Sequence, residues 1–142
     1  MKAEDWAGPY VGLPYRDMGR DSAGVDCWGL VRLIWADLRG VTVEGFEGGY
    51  SDPADRAGLD SLIRGELPFH AVVGAGAERV FDAVFFRQMG HVSHCGVVCG
   101  PGVMLHARPG SGVVVDDYRR GLWAARLYGF YRHRALDGGL AA

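Results

Sequence analysis

The sequence predicts an α+β domain, with N-terminal helices packed on a C-terminal antiparallel sheet, and three observations carry that reading. An apolar stripe of helical period starts at Cys27. After Gly76 the chain changes to short β-branched and aromatic runs separated by Gly and Pro. With 142 residues, 49% of them apolar, there is enough material for one core and not for two.

In residues 27–38 the apolar side chains fall at Cys27, Leu30, Val31, Ile34, Trp35 and Leu38, which is the i, i+3, i+4, i+7 stripe of an amphipathic helix, and Gly40 follows as a stop. A second helix is predicted from Pro53, a favoured first-turn residue after Ser51 and Asp52, through Leu59, Leu62 and Ile63 to about Leu67, where Pro68 ends it. Strands are predicted over 79–87, 92–99, 103–107, 112–116 and 127–134, and the stretch 119–126 reads as a turn of helix carrying Trp123. Helices come first and strands second, the order of a segregated α+β fold. The 23 glycines are scattered over turn positions and form neither a linker nor a repeat. One domain over 1–142 is expected, with 137–142 as a loose tail.

Charge excludes several partners. The 15 basic and 17 acidic residues leave a net charge of −2, without the basic footprint that nucleic acid or an anionic membrane requires. Residues 1–13 hold no apolar run of signal-peptide length, and no segment approaches the roughly 18 apolar residues of a membrane span. Neither self-export nor membrane insertion is expected.

Cys27, Cys95 and Cys99 are odd in number and match no disulfide framework, so at least one thiol is free. Asp26 is a favoured N-cap residue. It places Cys27 in the first helical turn, where unpaired N–H groups and the positive end of the dipole stabilise a thiolate. Position alone leaves two readings, a reactive nucleophile or the first apolar residue of the stripe.

Residues 91–107 alternate around the break Gly100-Pro101-Gly102 and predict a β-hairpin. With those three residues as the loop, Cys99 faces Val103 and paired residue numbers add up to 202. His106 then lies opposite Gly96, and His94 is its diagonal neighbour on the same face, about 7–8 Å away across a gap that Gly96 leaves open. A two-residue loop would place the two histidines on opposite faces. A thiolate needs a base, and the base needs a third group to fix its tautomer. Cys27, His94 and His106 can fill those roles, while the plainer reading has both histidines as ordinary strand residues. His91, three positions from His94, points to the other face.

His91, His94, Cys95, Cys99 and His106 also look like a ligand set for zinc. Residues four apart on a strand are separated by about 13 Å, however, so Cys95 and Cys99 cannot share one tetrahedral ion. No metal and no cofactor are expected. Cys95 and Cys99 are read as core filler beside Val97, Val103 and Leu105, on the face opposite His94.

These residues fall into motifs: Gly12-Leu-Pro-Tyr15, Gly24-Val-Asp-Cys27-Trp-Gly-Leu30, Asp82-Ala-Val-Phe-Phe86, Ser93-His94-Cys-Gly-Val-Val98, Leu105-His106-Ala107 and Ser111-Gly-Val113. With them the chain, from about Tyr10 to Arg134, resembles the NlpC family of papain-like cell-wall cysteine peptidases, most closely the phage-tail and gene-transfer-agent branch. The resemblance implies a papain-like fold with Cys27 as nucleophile, His94 as base and His106, twelve positions later, as orienting group. It also implies Tyr15 near the nucleophile and Asp26 at the amine end of the substrate peptide. Trp28 stands where most members have Ser, which implies a more apolar substrate subsite, and Cys95 replaces a usual Val.

The activity implied is hydrolysis of peptidoglycan peptide stems, typically between D-glutamate and diaminopimelate, through a thioester. The branch implies a protein made in the cytoplasm, carried with tail-tip proteins in a phage tail or gene-transfer-agent particle, and acting in the periplasm or cell wall. Two rival readings are a tail hub or assembly component that retains the fold, and another thiol amidase or acyltransferase on the same fold.

Overall fold

The computed structural model describes residues 2–46, 48–50 and 54–137. After a 3-10 turn at Asp5–Tyr10 come the short strands β1 (Arg20–Asp21) and β2 (Gly24–Val25), then helices α1 (Cys27–Ile34) and α2 (Arg56–Glu66). Strands β3 (His70–Val73), β4 (Ala83–Gln88), β5 (His91–Gly100), β6 (Val103–Arg108) and β7 (Gly112–Asp117) follow, then α3 (Gly121–Arg126), β8 (Leu127–His133) and α4 (Arg134–Asp137). The main sheet has six antiparallel strands in the order β3-β8-β4-β5-β6-β7. The α+β class and the helix-on-sheet layering are as the sequence predicts.

The α1 helix starts where its cap and stripe place it, with Asp26 accepting from Gly29 N. Regular winding ends at Ile34, and the predicted last turn widens into a π turn over Trp35–Arg39, closed by Gly40 at φ 65°. The fully buried Trp35 anchors that turn by donating its indole N–H to Phe81 O at 2.8 Å. For α2 the cap is Asp55, which accepts from Gly58 N, and the helix begins at Arg56. The predicted start at Pro53 lies outside the described residues, as do 138–142 of the predicted tail.

Two strand predictions need correction. The strand expected from residue 79 begins at Ala83, because Phe81 adopts φ 78° in a turn that Asp82 N closes on Arg79 O. The four-residue β3 was not anticipated. It is an edge strand that pairs with β8 alone, and β8 itself inserts between β3 and β4.

The hairpin register also differs in its cause. Val97 pairs with Leu105 and Val98 with Met104, as predicted, but Gly100 rather than Cys99 pairs with Val103. The loop is thus the two residues Pro101 and Gly102, and a β-bulge at Cys99 absorbs the extra residue. Below the bulge the predicted faces are preserved. At Gly96 a Cβ would come within 2.7 Å of Leu105 O and 3.1 Å of His106 Cβ, so this position must stay bare.

The sheet buries both faces. On one, α1 and α2 bring Trp28, Leu30, Ile34, Leu59 and Ile63 against Phe85, Cys95, Val97, Cys99 and Leu105. On the other, Val84, Phe86, Val98, Met104 and Phe130 are packed by Tyr118, with Trp123 of α3 and Leu127 beside them. At Gly29, α1 approaches the β1–β2 hairpin so closely that a Cβ would lie 1.9 Å from Gly19 O. That contact fixes where the helix, and so Cys27, begins. Among the described residues no helix is long and apolar enough to cross a membrane.

Candidate active site

Cys27 heads α1, 7% exposed, and lines a cavity of about 260 Å³ together with Tyr15, Asp26, Ser93, His94 and Trp123. Hydrogen bonding from Cys95 holds the Cys27 thiol below the usual range, burial opposes it, and His94 lowers it further by hydrogen bonding and charge. The other two thiols go the opposite way. Burial raises Cys95, with the neighbouring Cys27 adding to the effect, and burial pushes Cys99 up to about 12. The sulfur poised to ionise is therefore the one at the helix start, as the sequence suggests. Cys95 is core filler in its burial, but its contact with Cys27 gives it an influence on the Cys27 thiol that sequence reading did not assign.

His94 is part of a chain of three side chains. His94 Nε2 lies 2.8 Å from His106 Nδ1, and His106 Nε2 lies 2.6 Å from Asp116 Oδ2. Proton bookkeeping follows from the last member. A carboxylate only accepts, so His106 donates from Nε2 to Asp116, and the neutral ring keeps a bare Nδ1. That nitrogen accepts the Nε2–H of His94, which leaves the lone pair of His94 Nδ1 for the thiol proton. Burial keeps both rings below the ordinary imidazole range, against the opposing pull of Cys27 on His94 and of Asp116 on His106. A neutral His94 is the form that serves as a base.

Sequence reading missed two members of this arrangement. Asp116 lies two residues beyond Val114, the β7 partner of His106, so the register of the β6–β7 hairpin places it on the same face. The short link between Arg108 and Gly112 was the available signal. Trp123 stacks on His94 at 4.9 Å and 24° and meets His106 edge-on at 4.8 Å, forming an apolar wall beside both rings. Nothing local in the sequence shows where α3 docks.

The remaining predicted site residues divide. Tyr15 lines the cavity half-buried, bridged to Val25 two residues before Cys27, and burial raises its hydroxyl with the charge of Cys27 adding to the effect. Asp26 also lines the cavity, yet both its oxygens are engaged inside the protein. Oδ1 accepts from Gly29 N at 2.8 Å and from Arg20 at 2.7 Å, while Oδ2 accepts from the Tyr50 hydroxyl. Trp28 is a correction. It is fully buried, stacks on Phe46 at 5.1 Å and donates Nε1–H to Glu44 O, so it belongs to the core and not to a substrate subsite. His91 stands apart at the start of β5, 3.2 Å from Asp60 on α2. Among the described residues no three His, Cys, Asp or Glu side chains converge as a metal site.

The chain is similar to known proteins in sequence and in fold. Protein P54 of Enterococcus faecium is 27% identical over 109 residues, 76% of this chain and 18% of that protein, so the chain spans less than a fifth of that curated relative. A Bacillus cereus NlpC/P60 family protein superposes with a TM-score of 0.68 at 21% identity, over 89% of this chain and 37% of that one. The peptidoglycan hydrolase RipB of Mycobacterium tuberculosis superposes with a TM-score of 0.60 at 25% identity, over 92% of this chain and 61% of that one. The papain-like character of the fold follows from these neighbours. Residues 12–132 match the model of the NlpC/P60 family, a span that takes in Tyr15, Cys27, His94, His106 and Asp116 together, and the chain belongs to that family.

Proposed function

We propose that the protein is a cysteine peptidase that cuts the peptide stems of bacterial peptidoglycan. The observation that carries this is the opposition, across one cavity, of a helix-start thiol with a lowered pKa and a buried histidine whose tautomer is fixed by His106 and Asp116. His94 Nδ1 takes the Cys27 proton as the sulfur attacks the carbonyl carbon, and first-turn N–H groups of α1 receive the charge that develops on oxygen. The C–N bond then breaks, and the same proton passes from His94 to the leaving amine. Water hydrolyses the resulting thioester to a carboxylate and restores the thiol. A group on a strand wall opposite a helix N-terminus needs no metal ion for any of these proton transfers.

The peptidoglycan hydrolase RipB among the similar structures and the NlpC/P60 family match support peptidoglycan as substrate, and the motif resemblance supports the D-glutamyl–diaminopimelate bond. The same resemblance supports delivery in a phage-tail or gene-transfer-agent particle, and co-purification of the protein with such particles tests it. For the activity, purified peptidoglycan is digested with wild type and with Cys27→Ala, and the fragments are weighed by mass spectrometry. Stem fragments with a new amine and a new carboxylate are expected from wild type alone. The same fragments from Cys27→Ala would defeat the proposal.

A further inference from the structure

The cleft is cationic in a chain whose net charge is −2. Among the described residues three arginines line it, Arg56, Arg108 and Arg126, against a single carboxylate, Asp26. Asp26 offers no counter-charge, since Arg20 neutralises it at 2.7 Å and its second oxygen is taken by Tyr50. Arg108 shares its charge with Asp116 at 3.7 Å. Arg56 and Arg126 have no carboxylate partner among the described residues.

Among the described residues no contact explains Arg56. Its Nε is buried with no hydrogen-bond acceptor among the described residues, and a buried donor of this kind favours an acceptor supplied by a ligand. It is also the first residue of α2, where a cation opposes the helix dipole. Arg126 closes α3 with its guanidinium over the Trp123 ring at 5.9 Å, beside the rings of the base. Both arginines line the same cavity as Cys27.

We propose that Arg56 and Arg126 form a carboxylate-reading subsite, so that the protein selects stem peptides with free carboxylates over the same peptides with those groups amidated. The inference rests on the peptidase reading for its substrate. The chemistry is one of donor count. A carboxylate accepts two parallel N–H bonds from a guanidinium, whereas a carboxamide offers one oxygen and turns an NH₂ donor against the arginine.

Calorimetry on the catalytically silent Cys27→Ala protein tests the subsite without turnover. The probes are the tripeptide L-alanyl-γ-D-glutamyl-diaminopimelate and its carboxamide counterpart. The acid is expected to bind at least about tenfold more tightly, the scale of one or two charge-assisted hydrogen bonds, and the preference should shrink with added salt. Arg56→Gln and Arg126→Gln, each in the same background, should bring the ratio towards one, and Arg56→Lys should restore part of it. Equal binding of the two peptides, no measurable binding of the acid, or a ratio that survives in both glutamine variants overturns the subsite. Wild-type cleavage of either peptide is scored separately, so failure of the peptidase reading shows as intact peptides whatever the binding ratio.

Discussion

Cys27 is held by the face of the sheet that α1 and α2 cover, among Trp28, Leu30, Val31 and Ile34, all fully buried. The histidines belong to the opposite face, where α3 contributes Trp123 and the rings are tied to each other and to Asp116. Cys27 is therefore placed by core packing and His94 by a hydrogen-bonded relay. Substitutions on the first side should cost stability, and those on the second should cost rate, so the two can be separated in one set of variants.

The largest contrast is between His94 and Trp28. His94→Ala removes the proton carrier and should lower kcat by about 10²–10⁴-fold, whereas Trp28→Ala empties a buried site and should lower unfolding free energy by roughly 3–5 kcal/mol. Denaturant unfolding and stem-peptide kinetics on both variants check the pair. A fast His94→Ala enzyme would break the distinction at its centre.

The relay predicts a graded middle range. An amide oxygen at position 106 can still accept the His94 Nε2–H, so His106→Asn and His106→Gln should keep most activity, while His106→Ala should fall between them and His94→Ala. Asp116→Asn keeps an acceptor but loses the charge that holds the His106 tautomer, and a kcat lower by about tenfold at unchanged KM is expected. His91→Ala should stay within about twofold, because its partner Asp60 lies 3.2 Å away in a partly exposed contact and neither residue lines the cavity. A dead His91→Ala enzyme beside an active His106→Ala one would mean that the relay is wrongly assigned.

What the sequence made legible follows the same division. The start of α1 was readable because Asp26, the apolar stripe and Gly40 are local signals, and the shared face of His94 and His106 was readable from period-two alternation. That second success depended on two compensating local features. The loop is one residue shorter than Gly100-Pro101-Gly102 suggests, which alone would have reversed the faces, and the bulge at Cys99 reverses them back. Long-range placement was not legible. Neither the insertion of β8 between β3 and β4 nor the docking of Trp123 on the histidines leaves a periodic trace in the residues concerned. Trp28 shows the limit of carrying a position over by resemblance, since its size drew it into the core between Phe46 and Phe85.

A further effect sharpens the comparison within the face that α1 covers, at the contact between Cys95 and Cys27. Cys95 is the leading cause of the lowered Cys27 pKa, ahead of His94. Its S–H stabilises the thiolate, so removing that donor with Cys95→Val must raise the Cys27 pKa and move the acidic limb of reactivity to higher pH. Iodoacetamide labelling of native protein, followed site by site with pH, reads this directly. Wild type should label Cys27 first, with Cys95 and Cys99 slow until unfolding, because burial raises both of their pKa values. In Cys95→Val the labelling rate below the limb should fall by up to about tenfold, each pKa unit being a tenfold change in thiolate, while the plateau at high pH stays the same. The fold should tolerate the change, since Val is close to Cys in size and the site is wholly buried among apolar side chains. An unmoved limb would assign the low pKa to His94 and the helix start alone, and would return Cys95 to the role of packing.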